Sequence, residues 1–214
     1  MKITVYGAEG EIGQKVISYA LSKGDFVTAC ICDARILWPR KNLTVIEGSV
    51  GNREKVMEAM LEADIVISAL TGEESGRKNP SVSVSEGTAT IISAMEQLGK
   101  SRLVVLGSIC IQAFGDQQSL LQRFHPRFAA ILYSEKLRDI QKTGQFIVHS
   151  HLNWTMVRAA GFQAKDDGKG YGVSLDGSHC GMWVSRNNVA HFLYDAAVEP
   201  EKFNRKMPIV YNRS

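Results

Sequence analysis

A chain of 214 residues, 44% of them hydrophobic, is long enough to fill one core, and no composition break divides it into independent domains. Its 25 basic and 22 acidic residues leave a net charge of +3 without a Lys or Arg cluster, which argues against a nucleic-acid surface, and no apolar run reaches membrane-spanning length. Cys30, Cys32, Cys110 and Cys180 form no C-x-x-C pair and no metal-ligand spacing, so free thiols in a reducing cytosol and no metal are expected. The first residues enter a strand directly, without the basic and apolar segments of a signal peptide, which fits a cytoplasmic monomer or homodimer acting on a small molecule.

MKITVYGAEGEIGQKV reads as a buried strand, a glycine-rich turn and the start of a helix. Ile3, Val5 and Tyr6 are the β-rich run; Ile12, Val16, Ile17 and Leu21 follow at helical spacing. In the pattern G-x-x-G-x-x-G, Gly7 permits a sharp exit from the strand, Gly10 removes a Cβ where a pyrophosphate must approach, and Gly13 lets the helix pack closely. Unpaired N–H groups of the first helical turn favour an anion there. Gly7, Gly10, Glu11 and Ile12 are therefore expected to hold a dinucleotide, although the first gap is one residue longer than in the G-x-G-x-x-G fingerprint.

A second strand, Phe26 to Ile31, leads into a loop from Cys32 to Asn42 that should decide the cofactor. Asp33 is a carboxylate suited to ribose hydroxyls and argues for NAD; Arg35, with Arg40 and Lys41, suits a 2′-phosphate and argues for NADP. The balance leans slightly to NADP. Leu43 to Gly48 gives a third strand, Asn52 opens a helix, and ADIVISAL gives a fourth strand whose continuous apolar run is that of a parallel strand covered on both faces. In doubly wound sheets the ligand crosses the carboxyl ends of the strands, which places Ala69, Leu70, Thr71 and Gly72 at the cofactor edge.

Beyond the polar segment Glu73 to Pro80, a helix is expected over about Ser81 to Leu98, then a fifth strand, RLVVLGS. Ser108 ends it with a hydroxyl where a reacting group should sit, suited either to a reducible substrate or to a turn hydrogen bond. Ile109 to Pro126 lacks periodicity and reads as an active-site loop; a helix from about Phe128 to Val148 carries Tyr133 and Lys136, a phenol and an ammonium that can share a proton or simply pack their stems. LNWTMVRAAGF is the sixth strand and its turn, where Arg158 either clamps an anion or bridges loops. YGVSL and GMWV read as short strands on either side of Asp176-Gly177, Ser185 caps a helix that Pro200 ends, and MPIVY is a last strand. The fold expected is α/β: one Rossmann-like, doubly wound parallel sheet with helices on both faces, spanning residues 1–214. A small C-terminal extension from about residue 159 supplies the substrate side.

YGAEGEIG, VIEGSV, ADIVISALTG, LVVLGS, LNWTMVRAAGF, YGVSLDG and WVSRNNVAHFLYDAA, in that order, resemble the atypical short-chain dehydrogenase/reductases of the NmrA-like and biliverdin-reductase-B (flavin reductase) type. The resemblance implies an NAD(P) cofactor and adds Ala8, Glu9, Ser49, Val50, Leu106, Gly107, Ala159 and Ala160 to the residues that border it. It implies reduction of flavins, quinones or related conjugated acceptors, and equally admits dinucleotide sensors without activity. Glu9 replaces the usual Thr of the turn and disfavours a 2′-phosphate, and Cys32 stands where NADP-binding members often carry Arg. Tyr133 and Lys136 are one residue short of the Y-x-x-x-K pair, and the histidine of the sixth-strand turn falls here near Gly161, so no proton donor is assigned. The leading expectation is an NAD(P)H-dependent oxidoreductase passing hydride to a small conjugated acceptor near Ser108, with a non-catalytic NAD(P) sensor as the alternative.

Overall fold

The apolar runs at Ile3–Tyr6 and Ile65–Ser68 lie side by side at the middle of a parallel sheet, where both of their faces are covered. The computed structural model describes residues 1–37, 39–71, 82–116, 135–166 and 168–213. Among these, β1 (Lys2–Tyr6), β2 (Phe26–Ile31), β3 (Leu43–Glu47), β4 (Ile65–Ser68), β5 (Arg102–Ser108) and β6 (Asn153–Ala159) run parallel in the order β3-β2-β1-β4-β5-β6. The order reverses between β1 and β4, which opens the crevice used for ligands in this architecture. Register pairs Ser108 with Ala159 and Gly107 with Arg158, so the ends of β5 and β6 present their residues together at the carboxyl edge.

Helices α1 (Glu11–Ser22) and α5 (Arg186–Val198) cover one face, meeting Val5, Ala29, Ile67 and Val104 through Val16, Ile17, Val189 and Phe192. On the other face α2 (Arg53–Met60), α3 (Val84–Gln97) and α4 (Glu135–His149) bury Met60, Ile91, Met95 and Ile147 against Val66, Leu103, Val105 and Met156. Phe192 is fully buried, and truncating such a side chain to Ala costs about 3–5 kcal/mol. Arg102 is buried as well, and its guanidinium donates to the carbonyls of Ala196, Ala197 and Asn153, closing the carboxyl end of α5 with positive charge.

The C-terminal part departs from the expected pattern. MPIVY forms β10 (Ile209–Asn212), parallel to β6, and β8 (Tyr171–Ser174) pairs antiparallel with it as the outer strand of the same sheet. GMWV is not a strand: only Val184 joins β9 (Val184–Ser185), which pairs with β7 (Phe162–Gln163), and Met182 and Trp183 stay exposed. Pro200, expected to end a helix, also starts one, as the first residue of α6 (Pro200–Phe203), where its missing N–H costs nothing. The helix expected over about Ser81 to Leu98 begins at Val84, because Ser83 and Glu86 exchange side-chain and backbone bonds in a capping box. Of the helix expected over Phe128 to Val148, the described part starts at Glu135; Tyr133, like Gly72, lies outside the described residues.

Candidate active site

The glycine turn divides its tasks as spacing predicts. Gly7 has φ +80°, and a Cβ there would stand 2.7 Å from the backbone C and O of Ala69, so the turn is pressed against the end of β4. A Cβ at Gly13 would stand 2.3 Å from the Gly7 carbonyl oxygen, which fixes the close approach of α1. Gly10 is different: a Cβ there would find only the Gly7 oxygen, at 3.6 Å, so its missing side chain leaves open space in front of the helix. Gly10 is also the N-cap residue of α1 and offers no side-chain cap. The helix start thus presents backbone N–H groups to an open concavity, the arrangement a pyrophosphate needs, and the residues present fit a dinucleotide.

At the far side of this turn the buried Ala8 is followed by Glu9, whose Oε1 accepts the backbone N–H of Cys32 at 2.7 Å. The carboxylate thereby ties the glycine turn to the end of β2. The two competing cofactor signals meet each other: Asp33 accepts from the Arg35 guanidinium through Oδ1 at 2.9 Å and Oδ2 at 2.7 Å, and its Oδ1 also takes the Arg35 backbone N–H. Ser49 caps its own turn by accepting the Gly51 N–H, and Val50 packs with Leu70 against Gly87 of α3.

At the carboxyl ends of β4, β5 and β6 lies a cavity of about 490 Å³. Leu70, Thr71, Leu106, Gly107, Ser108, Ala159 and Ala160, all expected at this edge, line it. Ala69 is buried behind it against Gly7. Gly107 is required by packing, since a Cβ there would stand 2.6 Å from Met156 Cγ. The Ser108 hydroxyl accepts the Cys110 N–H at 3.2 Å, which leaves its proton to donate into the cavity. Lys136 reaches the same cavity from the first turn of α4, and Ile111, Ile140, Phe162 and Met182 make its apolar wall.

Three residues were not legible from spacing. Trp183 lines the cavity with its six-membered ring lying over Gly161, where a Cβ would meet Cε3 at 2.9 Å. Its reading as part of a strand concealed it. Arg186, the first residue of α5, also lines the cavity and pairs with Glu11, Nε to Oε2 3.0 Å; its place just after the cap Ser185 was the available signal. Asp139 borders the cavity but spends both carboxylate oxygens on the N–H groups of Val84 and Ser85 at the start of α3. Arg158, by contrast, is resolved between its two readings. It is wholly buried, donates to the carbonyls of Met207 and Ile111 and forms a two-point ion pair with Asp116, so it bridges loops and clamps no ligand. Burial pushes the Asp116 carboxyl upward, but hydrogen bonds from Arg158 and the Ala113 N–H outweigh it and hold the group below its ordinary range.

The sequence model of the NAD(P)H-binding family matches residues 7–200. A chloroplastic divinyl chlorophyllide a 8-vinyl-reductase from Cucumis sativus is 25% identical over 97% of the chain and 52% of its own length; the chain spans about half the length of the curated relatives it matches. Among solved structures, a short-chain dehydrogenase/reductase from Veillonella parvula in complex with NADP superposes with a TM-score of 0.79 at 19% identity, covering 100% of this chain and 95% of the other. ChuY, an anaerobillin reductase from Escherichia coli O157:H7, superposes with a TM-score of 0.77 at 18% identity, covering 100% and 98%. No helix among the described residues is long and apolar enough to cross a membrane.

Proposed function

Because the chain belongs to the NAD(P)H-binding family, we propose that it is an NAD(P)H-dependent reductase passing hydride to a small conjugated acceptor such as a flavin or quinone. The observation that carries this is the cavity beside the glycine turn, in which Ser108, Lys136 and Trp183 face the same space as Thr71 and Ala159. The bound dihydronicotinamide supplies a hydride, and the protein supplies position and electrostatics. Gly7, Gly10 and the first turn of α1 hold the phosphates, while Thr71, Leu106, Gly107, Ala159 and Ala160 border the nicotinamide half. Trp183 and Met182 give a planar acceptor an apolar bed, and the Ser108 hydroxyl donates to its heteroatom. Lys136 balances the negative charge of the reduced acceptor, whose proton arrives from water, so no dedicated acid is required. The similar proteins include a divinyl chlorophyllide a 8-vinyl-reductase and an anaerobillin reductase, which supports the reductase reading.

The test is titration of the purified protein with NADPH and with NADH, followed by nicotinamide fluorescence, and then addition of FMN or a quinone to the tighter complex. Tight binding with rapid oxidation is the expected result. Tight binding without turnover on any acceptor favours a dinucleotide sensor, and absence of binding overturns both.

A further inference from the structure

Arg186 stands where two helices begin together. Its Nε lies 3.0 Å from Oε2 of Glu11, the first residue of α1, and its side chain borders the cavity at 27% exposure. Among the described residues, Nη1 and Nη2 have no hydrogen-bond partner. A guanidinium is a planar fork of five donors, and here one edge serves a carboxylate while the other is left to whatever enters the cavity. Glu11 directly follows Gly10, the glycine whose absent Cβ opens the front of the turn. The unused edge is therefore held next to the concavity that fits a pyrophosphate.

Charge gives the same answer. A carboxylate at the first position of α1 suits the helix dipole but opposes an incoming phosphate. Arg186 neutralises that carboxylate and leaves the entrance with hydrogen-bond donors to spare. The arrangement is also rigid: α1 and α5 pack against each other on one face of the sheet, and Ser185 fixes the start of α5 by accepting the Asn188 N–H at 3.0 Å. We infer that Arg186 is a pyrophosphate-binding residue of the dinucleotide site, gripping two phosphate oxygens through its terminal nitrogens while Glu11 holds its Nε. This inference rests on the NAD(P)H reading and adds to it a contact that the glycine turn does not provide.

The experiment measures affinities of wild type, Arg186→Gln, Arg186→Lys and Glu11→Gln for NADH, NADPH, ADP-ribose and AMP, with a thermal melt of each variant. ADP-ribose keeps the pyrophosphate without the nicotinamide, and AMP lacks the pyrophosphate. Arg186→Gln is expected to weaken NADH, NADPH and ADP-ribose by about tenfold or more and AMP hardly at all, with Arg186→Lys intermediate because an ammonium has no fork. Glu11→Gln is expected to weaken ADP-ribose by less than Arg186→Gln does, since it loosens the hold on Nε and leaves the terminal nitrogens in place. Unchanged ADP-ribose affinity in Arg186→Gln overturns the inference, whether NADH is affected or not, and so does an equal loss for AMP. Wild type that binds none of the four sinks the reductase reading as well, whereas wild type that binds with Arg186→Gln unaltered sinks the inference alone.

Discussion

Arg158 and Asp116 are joined at two points, Nη1 to Oδ2 at 2.5 Å and Nη2 to Oδ1 at 2.8 Å, and this pair fastens the segment that leaves Ser108 to the strand beside it. The same guanidinium holds the Ile111 and Met207 carbonyls, so one buried cation ties β6, the loop and the approach to β10 together. Asp116→Ala strands that charge without its partner and should cost about 3–5 kcal/mol, read from denaturant unfolding. Because the folded carboxyl titrates below the unfolded one, its contribution is whole above the ordinary carboxylate range and is lost as the pH falls through the folded value. Wild type should therefore lose stability on acidification more steeply than Asp116→Asn, and parallel pH curves for the two would overturn the assignment.

The three glycines of the turn should separate by experiment. Ala at Gly7 or Gly13 drives a Cβ into backbone atoms at 2.7 and 2.3 Å, and each change should cost about 3 kcal/mol or more. Ala at Gly10 meets nothing closer than 3.6 Å, so the fold should lose less than about 1 kcal/mol while nucleotide affinity falls about tenfold. Thermal melts with NADH titrations check all three. A Gly10→Ala protein of full affinity would remove the phosphates from this turn.

The parallel sheet was legible because period and punctuation agree there: the apolar run Ile65–Ile67, bounded by turn residues, fits a strand buried on both faces, whereas the strand order rests on pairings between segments far apart in the chain. The carboxyl edge was legible for the same reason, since fixing the strands fixes which residues end them, Ser108 and Ala159 included. Part of what could not be read depends on contacts across long sequence separations. GMWV has the composition of a strand, but Trp183 is held by Gly161, twenty-two positions earlier, and its exposure follows from that packing. Asp33 and Arg35 were legible as opposed signals but not as partners, because their orientation is set by the single turn of 3₁₀-helix at Ala34–Ile36.

That partnership makes a prediction about cofactor choice. Arg35 is mostly exposed and is held by Asp33 through both carboxylate oxygens, so a 2′-phosphate has to compete with that carboxylate for the guanidinium. Asp33→Asn weakens the competitor and should shift the ratio of NADPH to NADH affinity about tenfold toward NADPH. Arg35→Ala should weaken NADPH and leave NADH nearly untouched. Equal changes for both nucleotides in the two variants would show that this loop does not read the 2′ position.

The cysteines should divide by reactivity. Cys30 is buried, its thiol donates weakly to the Gly48 carbonyl, and burial together with the nearby Glu9 pushes it up to about 12. Its thiolate is scarce in the folded protein at neutral and mildly alkaline pH, whereas the unfolded thiol ionises near its ordinary value. Iodoacetamide at pH 8 should spare Cys30 until denaturant is added, and should modify the half-buried Cys110 at the cavity first. Bound NADH or NADPH should then slow labelling of Cys110, as followed by peptide mass spectrometry. Labelling of Cys30 as fast as Cys110 in the native protein would contradict the packing around β2.

Trp183 should separate the two halves of the cavity. The indole lies on Gly161 and borders the space shared with Ser108; a planar apolar face suits a flat acceptor, whereas the phosphates need the N–H donors of the glycine turn. A lost aromatic stack is worth about 1 kcal/mol, roughly fivefold. Trp183→Ala should raise KM for FMN or a quinone by about that factor while the Kd for NADH and NADPH stays within twofold of wild type. Trp183→Phe, which keeps a planar face, should recover most of the loss. If the alanine variant weakens nucleotide binding as much as it raises KM, the indole belongs to the cofactor's bed, and the acceptor must enter from the side of Lys136 and Ile140.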